Sequence, residues 1–411
     1  MFFFNNRHLI LLYSVSLLIT LLTYGCMAND DESRSLNNEP PDSYKKLSTP
    51  VVAAYLYIGN RTLDVRTIQL DGVDIVNLAF TVIKNNRMGL QTPADAANFG
   101  IARKLKQKYP NIKVLVSCGG YGTQKDFSQM AMDSLYRTAF VDDAVRFVRS
   151  YGMDGLDLDW EFPGMTKATR SADKENFTKL VSELRAAFNT ASQVDGKKYY
   201  LTVAAGAFEL YLSFTEPHKV CPMVDYFFVM TYDFYGQWNK HTGHHTNLYA
   251  SSFNPGSHSV NRIVEKYINA GIPPSKIVIG SAFYGREWNQ TDNVNNGLYR
   301  AGKGVGSISY RKIASLTTDA GYRRYWDKSA MAPYLYNTKT NTFISYDDRE
   351  SVKRKVNYVY IHGLGGMMYW EHFSDNNGEL ARSIISEMAI RKEEYAHIKM
   401  PGGFIAKKTK K

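Results

Sequence analysis

The sequence predicts an α/β protein, a (β/α)8 TIM barrel with a small α+β insertion domain between strand 7 and helix 7. Eight short apolar runs alternate with longer amphipathic segments along the 411 residues. This alternation indicates a parallel sheet, because each return to a parallel strand needs a crossover, usually a helix. Eight such units in about 330 residues are typical of the barrel. A doubly wound open sheet is the alternative.

The predicted strands are short apolar runs, and helix-like segments separate most of them. In chain order the strands cover residues 51–58, 75–80, 112–117, 155–160, 200–205, 226–230, 277–283 and 366–370. Segments 176–188 and 259–270 have the amphipathic spacing of helices.

The longest interval between runs predicts the insertion. Residues 284–364 contain Tyr-rich and Gly-rich pieces in which apolar residues recur at strand-like intervals. We interpret 287–346 as a small antiparallel insertion domain and 349–361 as the helix that follows it. The barrel then comprises 49–286 and 347–395. An insertion after a barrel strand lies on the C-terminal rim, so it should form a wall beside any site there.

The N-terminus has the pattern of an export signal. Residues 9–22 are apolar apart from Ser and Thr and carry no charge, a length that suits a secretory signal better than a membrane span. A small residue precedes Cys26, as in bacterial lipoprotein signals, while plain secretion and an uncleaved anchor stay open. We predict a signal peptide over 1–26 and a flexible tether over 27–48. The protein is then exported, either secreted or anchored as a lipoprotein at the cell envelope.

Composition narrows the class of protein. Apolar residues make up 44% and charged residues 22%, which excludes a largely disordered chain and a polytopic membrane protein. The net charge of +11 invites a nucleic-acid or anionic partner, but residues 391–411 alone carry seven basic and two acidic side chains. Since no nucleic-acid motif accompanies the charge, we interpret 396–411 as a basic tail and predict no nucleic-acid partner. Cys118 and Cys221 are predicted to be buried thiols, with a disulfide between them left open.

The strongest chemical signal is a column of carboxylates in the fourth predicted strand. Asp157, Asp159 and Glu161 alternate with Leu158 and Trp160, and alternate side chains of a strand point the same way. Like charges about 7 Å apart on a buried face raise one another's pKa, so one carboxyl should keep its proton near neutral pH. This predicts a proton donor, with Glu161 at the C-terminal end. A calcium site or a solvated edge fits less well, because calcium ligands usually come from loops.

The segment that holds this column resembles the signature of glycoside hydrolase family 18, the chitinase family. Four further motifs match the family in its order, and together they cover about residues 50–390. The five motifs are Ser-Cys-Gly-Gly at 117–120, Asp-Gly-Leu-Asp-Leu-Asp-Trp-Glu at 154–161, Met-Thr-Tyr-Asp at 230–233, Phe-Tyr-Gly-Arg at 283–286 and Met-Tyr-Trp-Glu at 368–371. The insertion resembles the chitinase insertion domain of the bacterial-type enzymes.

The resemblance implies a role for each residue of the catalytic set. Glu161 would be the general acid and base, and Asp159 would orient the acetamide of the substrate and stabilise the charge on its nitrogen. Asp157 would share a proton with that pair, and Tyr232 would hydrogen-bond the acetamide oxygen. The acetamide itself would attack the anomeric carbon, which gives an oxazolinium intermediate and net retention without a second carboxylate as nucleophile.

The resemblance also implies a set of substrate-binding residues around this column. They are Asp233 and Tyr284 beside the sugar, Arg286 on the rim, Trp370 as the apolar floor, Trp238 as a sugar platform, and Gly120. Structural alternatives stay open: Tyr284 and Arg286 could join barrel to insertion, Trp238 could pack on the surface, and Gly120 could be a turn residue.

We predict no cofactor, no metal and a monomer, with membrane contact only through a lipid at Cys26. His241, His244 and His245 look like a metal cluster, but they are interpreted as part of a loop without a carboxylate partner.

These inferences predict a chitinase that hydrolyses β-1,4 linkages between N-acetylglucosamine residues in chitin or chito-oligosaccharides. An endo-β-N-acetylglucosaminidase acting on N-glycans is the enzymatic alternative, and the insertion argues against it because such relatives commonly lack one. A non-catalytic chitin-binding lectin is the alternative from another class, and the presence of Glu161 argues against it. Exo or endo action and processivity stay open.

Overall fold

The computed structural model describes residues 49–165, 171–319 and 321–396. The predicted signal peptide, the tether and Cys26 lie outside the described residues, as does all but the first residue of the basic tail, so these stay predictions. Within the described ranges, no helix is long and apolar enough to cross a membrane.

The described part of the chain forms two sheets, and the larger is a closed barrel. The strands are β1 Val51–Tyr57, β2 Ile75–Lys84, β3 Arg87–Gly89, β4 Lys113–Gly119, β5 Gly155–Asp159, β6 Tyr200–Ala205, β7 Tyr226–Val229, β8 Ile277–Ala282, β9 Tyr284–Asn289, β10 Lys303–Ser309, β11 Tyr322–Asp327, β12 Ala332–Asn337, β13 Thr342–Ser345 and β14 Gly366–Trp370. Strands β1, β2, β4 to β8 and β14 are parallel neighbours, and β1 pairs with both β2 and β14. The closure confirms all eight predicted barrel strands and excludes the open doubly wound sheet.

All but one of the helices in the described ranges follow the barrel strands and cover the outside of the barrel sheet. They are α1 Asp95–Lys108, α2 Gln124–Ala131, α3 Ser134–Ser150, α4 Asp173–Asp195, α5 Glu209–Ser213, α6 Pro217–Val220, α7 Val260–Asn269, α8 Tyr310–Leu316, α9 Arg349–Ile361 and α10 Glu379–Ala396. Helix α3 begins after Asp133, whose carboxylate accepts the N–H of Leu135. Helix α9 begins with a capping box between Asp348 and Ser351, and it confirms the helix predicted over 349–361.

Period-two alternation in the strands creates a second core inside the barrel. The interior apolar residues include Ala53, Ile75, Leu115, Phe228 and Val278. Further along the strands, the buried polar side chains of Ser117, Asp157 and Thr202 meet one another. The apolar interior therefore gives way to a polar cluster towards the C-terminal mouth of the barrel.

The second sheet is antiparallel and forms the predicted insertion. Its strand order is β10-β9-β13-β12-β11, and α8 lies between β10 and β11. Its core includes Trp288, Leu298, Tyr336 and Phe343. The sheet begins at Tyr284, ahead of the boundary placed at 287, because only one residue separates β8 from β9.

A buried ion pair fixes the chain where it returns from the insertion. Lys355 Nζ lies 2.6 Å from Asp347 Oδ2, and both side chains are almost fully buried. The same carboxylate accepts hydrogen bonds from the hydroxyls of Ser281 on β8, Thr246 and Ser351. Removing either charge would leave its partner buried and uncompensated, so the junction holds the loop around Thr246 against the barrel.

Both described cysteines, Cys118 and Cys221, are buried free thiols. The disulfide left open by the sequence is therefore not formed in the described part of the chain. Burial raises the pKa of the Cys118 thiol to about 12, so this thiol is unreactive at neutral pH.

Candidate active site

The predicted carboxylate column lies on the inner side of β5. Asp157 and Asp159 are both buried, and Glu161 follows two residues after the strand ends. Trp160 points the other way and stacks on Phe127 with ring centroids 5.2 Å apart. The alternation of carboxylate and apolar side chains therefore continues past the end of the strand.

Asp157 at the base of the column is held by three hydroxyl groups. Its Oδ2 accepts hydrogen bonds from Tyr55 Oη at 2.9 Å and Ser117 Oγ at 2.7 Å, and its Oδ1 accepts one from Thr202 Oγ1 at 2.7 Å. Burial raises the pKa of Asp157, and the three hydrogen bonds oppose that rise. Tyr55 and Thr202 were missed from the sequence, where both sit inside apolar runs.

Asp159 keeps a free oxygen in the middle of the column. Its Oδ1 is buried and has no hydrogen-bond partner among the described residues. Burial, followed by the charges of Glu161 and Asp157, raises the pKa of Asp159 well above its ordinary value. A buried carboxyl oxygen without a partner is costly to the fold and is available to a ligand.

Glu161 is the member of the column nearest the mouth. Burial first, and then the charge of Asp233, raise the pKa of Glu161 to about 7. A carboxyl with this pKa holds its proton in about half of the molecules at neutral pH, which is the range that suits a general acid.

Asp233 is surrounded by hydrogen-bond donors. Arg286 Nε lies 2.7 Å from its Oδ1 and Arg286 Nη2 lies 2.7 Å from its Oδ2, a bidentate pair, and Tyr284 Oη donates to Oδ1 at 2.8 Å. Burial alone would raise the pKa of Asp233, but His245 and Arg286 outweigh it and lower the pKa to about 2. Asp233 therefore stays ionised beside Glu161, and Arg286 contacts this carboxylate rather than open rim.

Tyr232 lies beside the column with its phenol protonated. Burial, and then the charges of Asp159, Glu161 and Asp233, raise the pKa of Tyr232 well above its ordinary value. Its ring packs so closely on Gly280 that a Cβ there would lie 2.7 Å from the ring. Only glycine at this position lets the phenol take its place.

The predicted floor of the site is a cluster of aromatic rings. Trp370 stacks on Phe80 with centroids 5.6 Å apart and lies 5.7 Å from both Tyr55 and Tyr57. Gly120 packs on Phe80, where a Cβ would come within 2.9 Å of the ring, and its φ of +89° favours glycine. The structure therefore gives Gly120 a packing role beside the floor.

Trp238 is more exposed than the aromatic residues of the floor. Its side chain is 57% exposed, and the Arg286 guanidinium lies 5.0 Å from its ring centroid. The cation packs on the indole at the rim, and more than half of this residue stays exposed.

The prediction that the loop of the three histidines has no carboxylate partner was wrong. His244 Nε2 lies 3.2 Å from Asp327 Oδ2, and His245 Nδ1 lies 3.8 Å from Asp233 Oδ1. Both therefore have carboxylate partners, which are remote in sequence and bring the loop to the insertion and to the site. Within the described ranges, no group of three or more His, Cys, Asp or Glu side chains could hold a metal ion.

The fold and the column together define the class of protein. A closed (β/α)8 barrel with acidic side chains of shifted pKa at its C-terminal mouth fits a glycoside hydrolase. The chain belongs to the glycosyl hydrolases family 18, whose family model matches residues 53–375.

Several characterised proteins are similar to this chain. Chitinase A1 from Niallia circulans is 38% identical over 318 residues, which cover 71% of this chain and 45% of that protein. The structure of chitinase ChiW from Paenibacillus sp. str. FPU-7 is 35% identical with a TM-score of 0.78, over 83% of this chain and 33% of that chain. A family 18 N-acetylglucosaminidase from Paenibacillus barengoltzii is 37% identical with a TM-score of 0.75, over 82% and 99%. The chain thus spans less than half the length of the first two.

Proposed function

We propose that the protein is a chitinase that hydrolyses β-1,4 linkages between N-acetylglucosamine residues with retention of configuration. The observation that carries the proposal is the pairing of Glu161, whose pKa is about 7, with the unpartnered oxygen of Asp159. One group can donate a proton to a leaving sugar, and the other can accept a hydrogen bond from the same substrate.

The proposed mechanism assigns each step to a described group. Glu161 protonates the glycosidic oxygen while the N-acetyl oxygen of the substrate attacks the anomeric carbon, which breaks the glycosidic bond and forms an oxazolinium ion. Asp159 accepts a hydrogen bond from the acetamide N–H and, once ionised, stabilises the positive charge, and Tyr232 donates a hydrogen bond to the acetamide oxygen while keeping its proton. The Glu161 carboxylate then takes a proton from water, which attacks the anomeric carbon and reopens the ring.

The surroundings of the column favour catalysis on a chain of sugars. The Trp370 cluster offers an apolar face of the kind that sugar rings stack on, and Trp238 extends it along the rim. An intact Glu161, Asp159 and Tyr232 argue against the binding-only lectin. The second sheet beside the mouth argues for chitin over N-glycans.

A second candidate is the removal of single N-acetylglucosamine units from chain ends. The solved structure that is 37% identical belongs to a protein described as an N-acetylglucosaminidase. Analysis of early products from colloidal chitin, from chito-oligosaccharides and from an N-glycoprotein separates the candidates: oligomers indicate internal cleavage, monomers indicate end cleavage, and released glycans indicate the N-glycan enzyme.

Fully deacetylated chitosan should be cleaved at least about 100-fold more slowly than its N-acetylated counterpart, because the attacking acetamide is absent. Reducing-end release from matched oligomers measures the difference, and partially acetylated chitosan serves as the control that shows the polymer can enter the cleft. Comparable rates on the deacetylated oligomer would contradict the substrate-assisted route.

Hydrolysis should fall about tenfold per pH unit above the pKa of Glu161, because the first step needs the protonated acid. The alkaline limb of kcat/KM is therefore expected near pH 7. Asp233→Asn should move this limb to lower pH, because the charge of Asp233 helps to raise the pKa of Glu161. A limb that stays in place in Asp233→Asn would show that another group sets it.

A further inference from the structure

A second cavity lies beside the cleft, where the loop after β7 meets the insertion. Its volume is about 430 Å³, within the range of small-molecule sites. Its lining residues include Tyr235, Asn239, Lys240, Phe253, Asn254 and Tyr299. None of the residues that line the cavity belongs to the carboxylate column or its aromatic floor, and none is acidic.

Aromatic rings form the apolar part of this cavity. Tyr235 and Tyr299 meet edge to face with centroids 5.8 Å apart. Phe253 is 57% exposed, so its ring is accessible to a ligand from solvent. The rings thus offer the mixed apolar and hydroxyl-bearing wall on which a sugar stacks.

The backbone holds Tyr299 in a conformation that tyrosine rarely adopts. Its φ is +55°, in the left-handed region. The next residue fixes it to the barrel loop: Arg300 N–H donates to Thr242 Oγ1 at 3.0 Å, and Thr242 N–H donates to the Arg300 carbonyl at 2.8 Å. Backbone strain of this kind persists where the surroundings determine it and is concentrated at ligand sites.

Polar groups with unused hydrogen-bonding capacity complete the cavity. Asn254 Nδ2 donates to Tyr235 Oη at 2.8 Å, which leaves its Oδ1 as an acceptor. Asn239 Oδ1 accepts the N–H of Gly236 at 3.0 Å, which leaves its Nδ2 as a donor. The Lys240 ammonium has no ion-pair partner in the part of the chain that the structure describes. An amide donor and an amide acceptor beside aromatic faces match a sugar that carries an acetamide group.

The short segment 238–240 lies between the two sites and contributes side chains to both. Trp238 packs on Arg286 at the cleft, while its neighbours Asn239 and Lys240 line the cavity. We propose that this cavity is a second carbohydrate site, which binds one N-acetylhexosamine unit of a chitin-type chain outside the catalytic cleft. The ligand class of this site rests on the proposed function. Binding there would keep the enzyme on its polymer independently of cleavage.

Titration of the full chain carrying Glu161→Gln with tri-N-acetylchitotriose tests the second site, because this variant should not consume the ligand. We expect two binding events by calorimetry and by NMR shifts. Adding Phe253→Ala should weaken the second event about tenfold and leave the first unchanged, since one aromatic face is lost. Val194→Ala, a smaller truncation of a 71% exposed apolar side chain on α4, should change neither event.

In the chain with Glu161 intact, Phe253→Ala should reduce retention on insoluble chitin severalfold while hydrolysis of the soluble trimer stays within twofold. Lys240→Ala provides a second variant should Phe253→Ala lower the melting temperature. A single binding event in Glu161→Gln would overturn the inference, as would a second event that survives both cavity variants. Two events without any hydrolysis by the parent chain would instead sink the proposed function and leave the carbohydrate site standing.

Discussion

Glu161→Gln is expected to lower kcat on N-acetylated oligomers by roughly 10²- to 10⁴-fold, the usual contribution of a general acid and base. Glutamine has the shape of glutamate but no proton to transfer, so oligosaccharide binding should persist. Initial rates and equilibrium binding on the same preparation measure the two effects separately.

Glu287→Gln is the matched control for this prediction. Glu287 is a half-buried glutamate on β9, and burial raises its pKa too. It alternates with Arg286 along the strand and therefore points away from Asp233. Full activity in Glu287→Gln with loss in Glu161→Gln would tie the effect to the column, whereas turnover near the parent rate in Glu161→Gln would refute the mechanism.

Asp159→Asn is expected to lower kcat by about 10²- to 10³-fold, because an amide cannot stabilise the positive charge of the oxazolinium ion.

The same change should make the protein more stable at alkaline pH. The pKa of Asp159 is raised in the folded state, so the folded protein holds a proton that the unfolded chain releases. Stability conferred by that protonated carboxyl is complete below the ordinary aspartate pKa and is lost as pH rises towards the folded pKa.

Melting temperatures of parent and Asp159→Asn proteins between pH 4 and pH 8 check this sign. The advantage of Asp159→Asn should grow with pH. Asp195→Asn is a control in which the effect on stability should have the opposite sign. Hydrogen bonds from Arg149 and Tyr199 lower the pKa of Asp195, so its charge favours the folded state. A destabilised Asp159→Asn protein at pH 8 would mean that its carboxylate is better compensated than the structure indicates.

Local sequence patterns predict most of this fold, because each barrel strand can be recognised from its own residues. Each is a short apolar run, and the runs at 200–205 and 366–370 match β6 and β14 residue for residue. The column at Asp157, Asp159 and Glu161 is equally local, since period-two geometry alone places three carboxylates on one side. The placement of these elements therefore needed no long-range information.

Contacts between residues far apart in the chain could not be predicted from the sequence. Tyr55 lies 102 residues before Asp157 and sits in an apolar run, where a tyrosine is indistinguishable from core. The partners of His244 and His245 are likewise brought in by the fold, through Asp327 and Asp233. Arg286 looked like a rim residue because its bidentate contact with Asp233 spans 53 positions.

Strand β9 makes the insertion a poor candidate for exchange between enzymes. Its first residue, Tyr284, and its third, Arg286, both bind Asp233, while its backbone pairs with β10 and β13 in the second sheet. A chimera with its breakpoints at the two ends of the second sheet would therefore separate Tyr284 and Arg286 from their Asp233. Recombination should succeed only when the breakpoint moves upstream of Asp233, so that this carboxylate travels with its partners Tyr284 and Arg286.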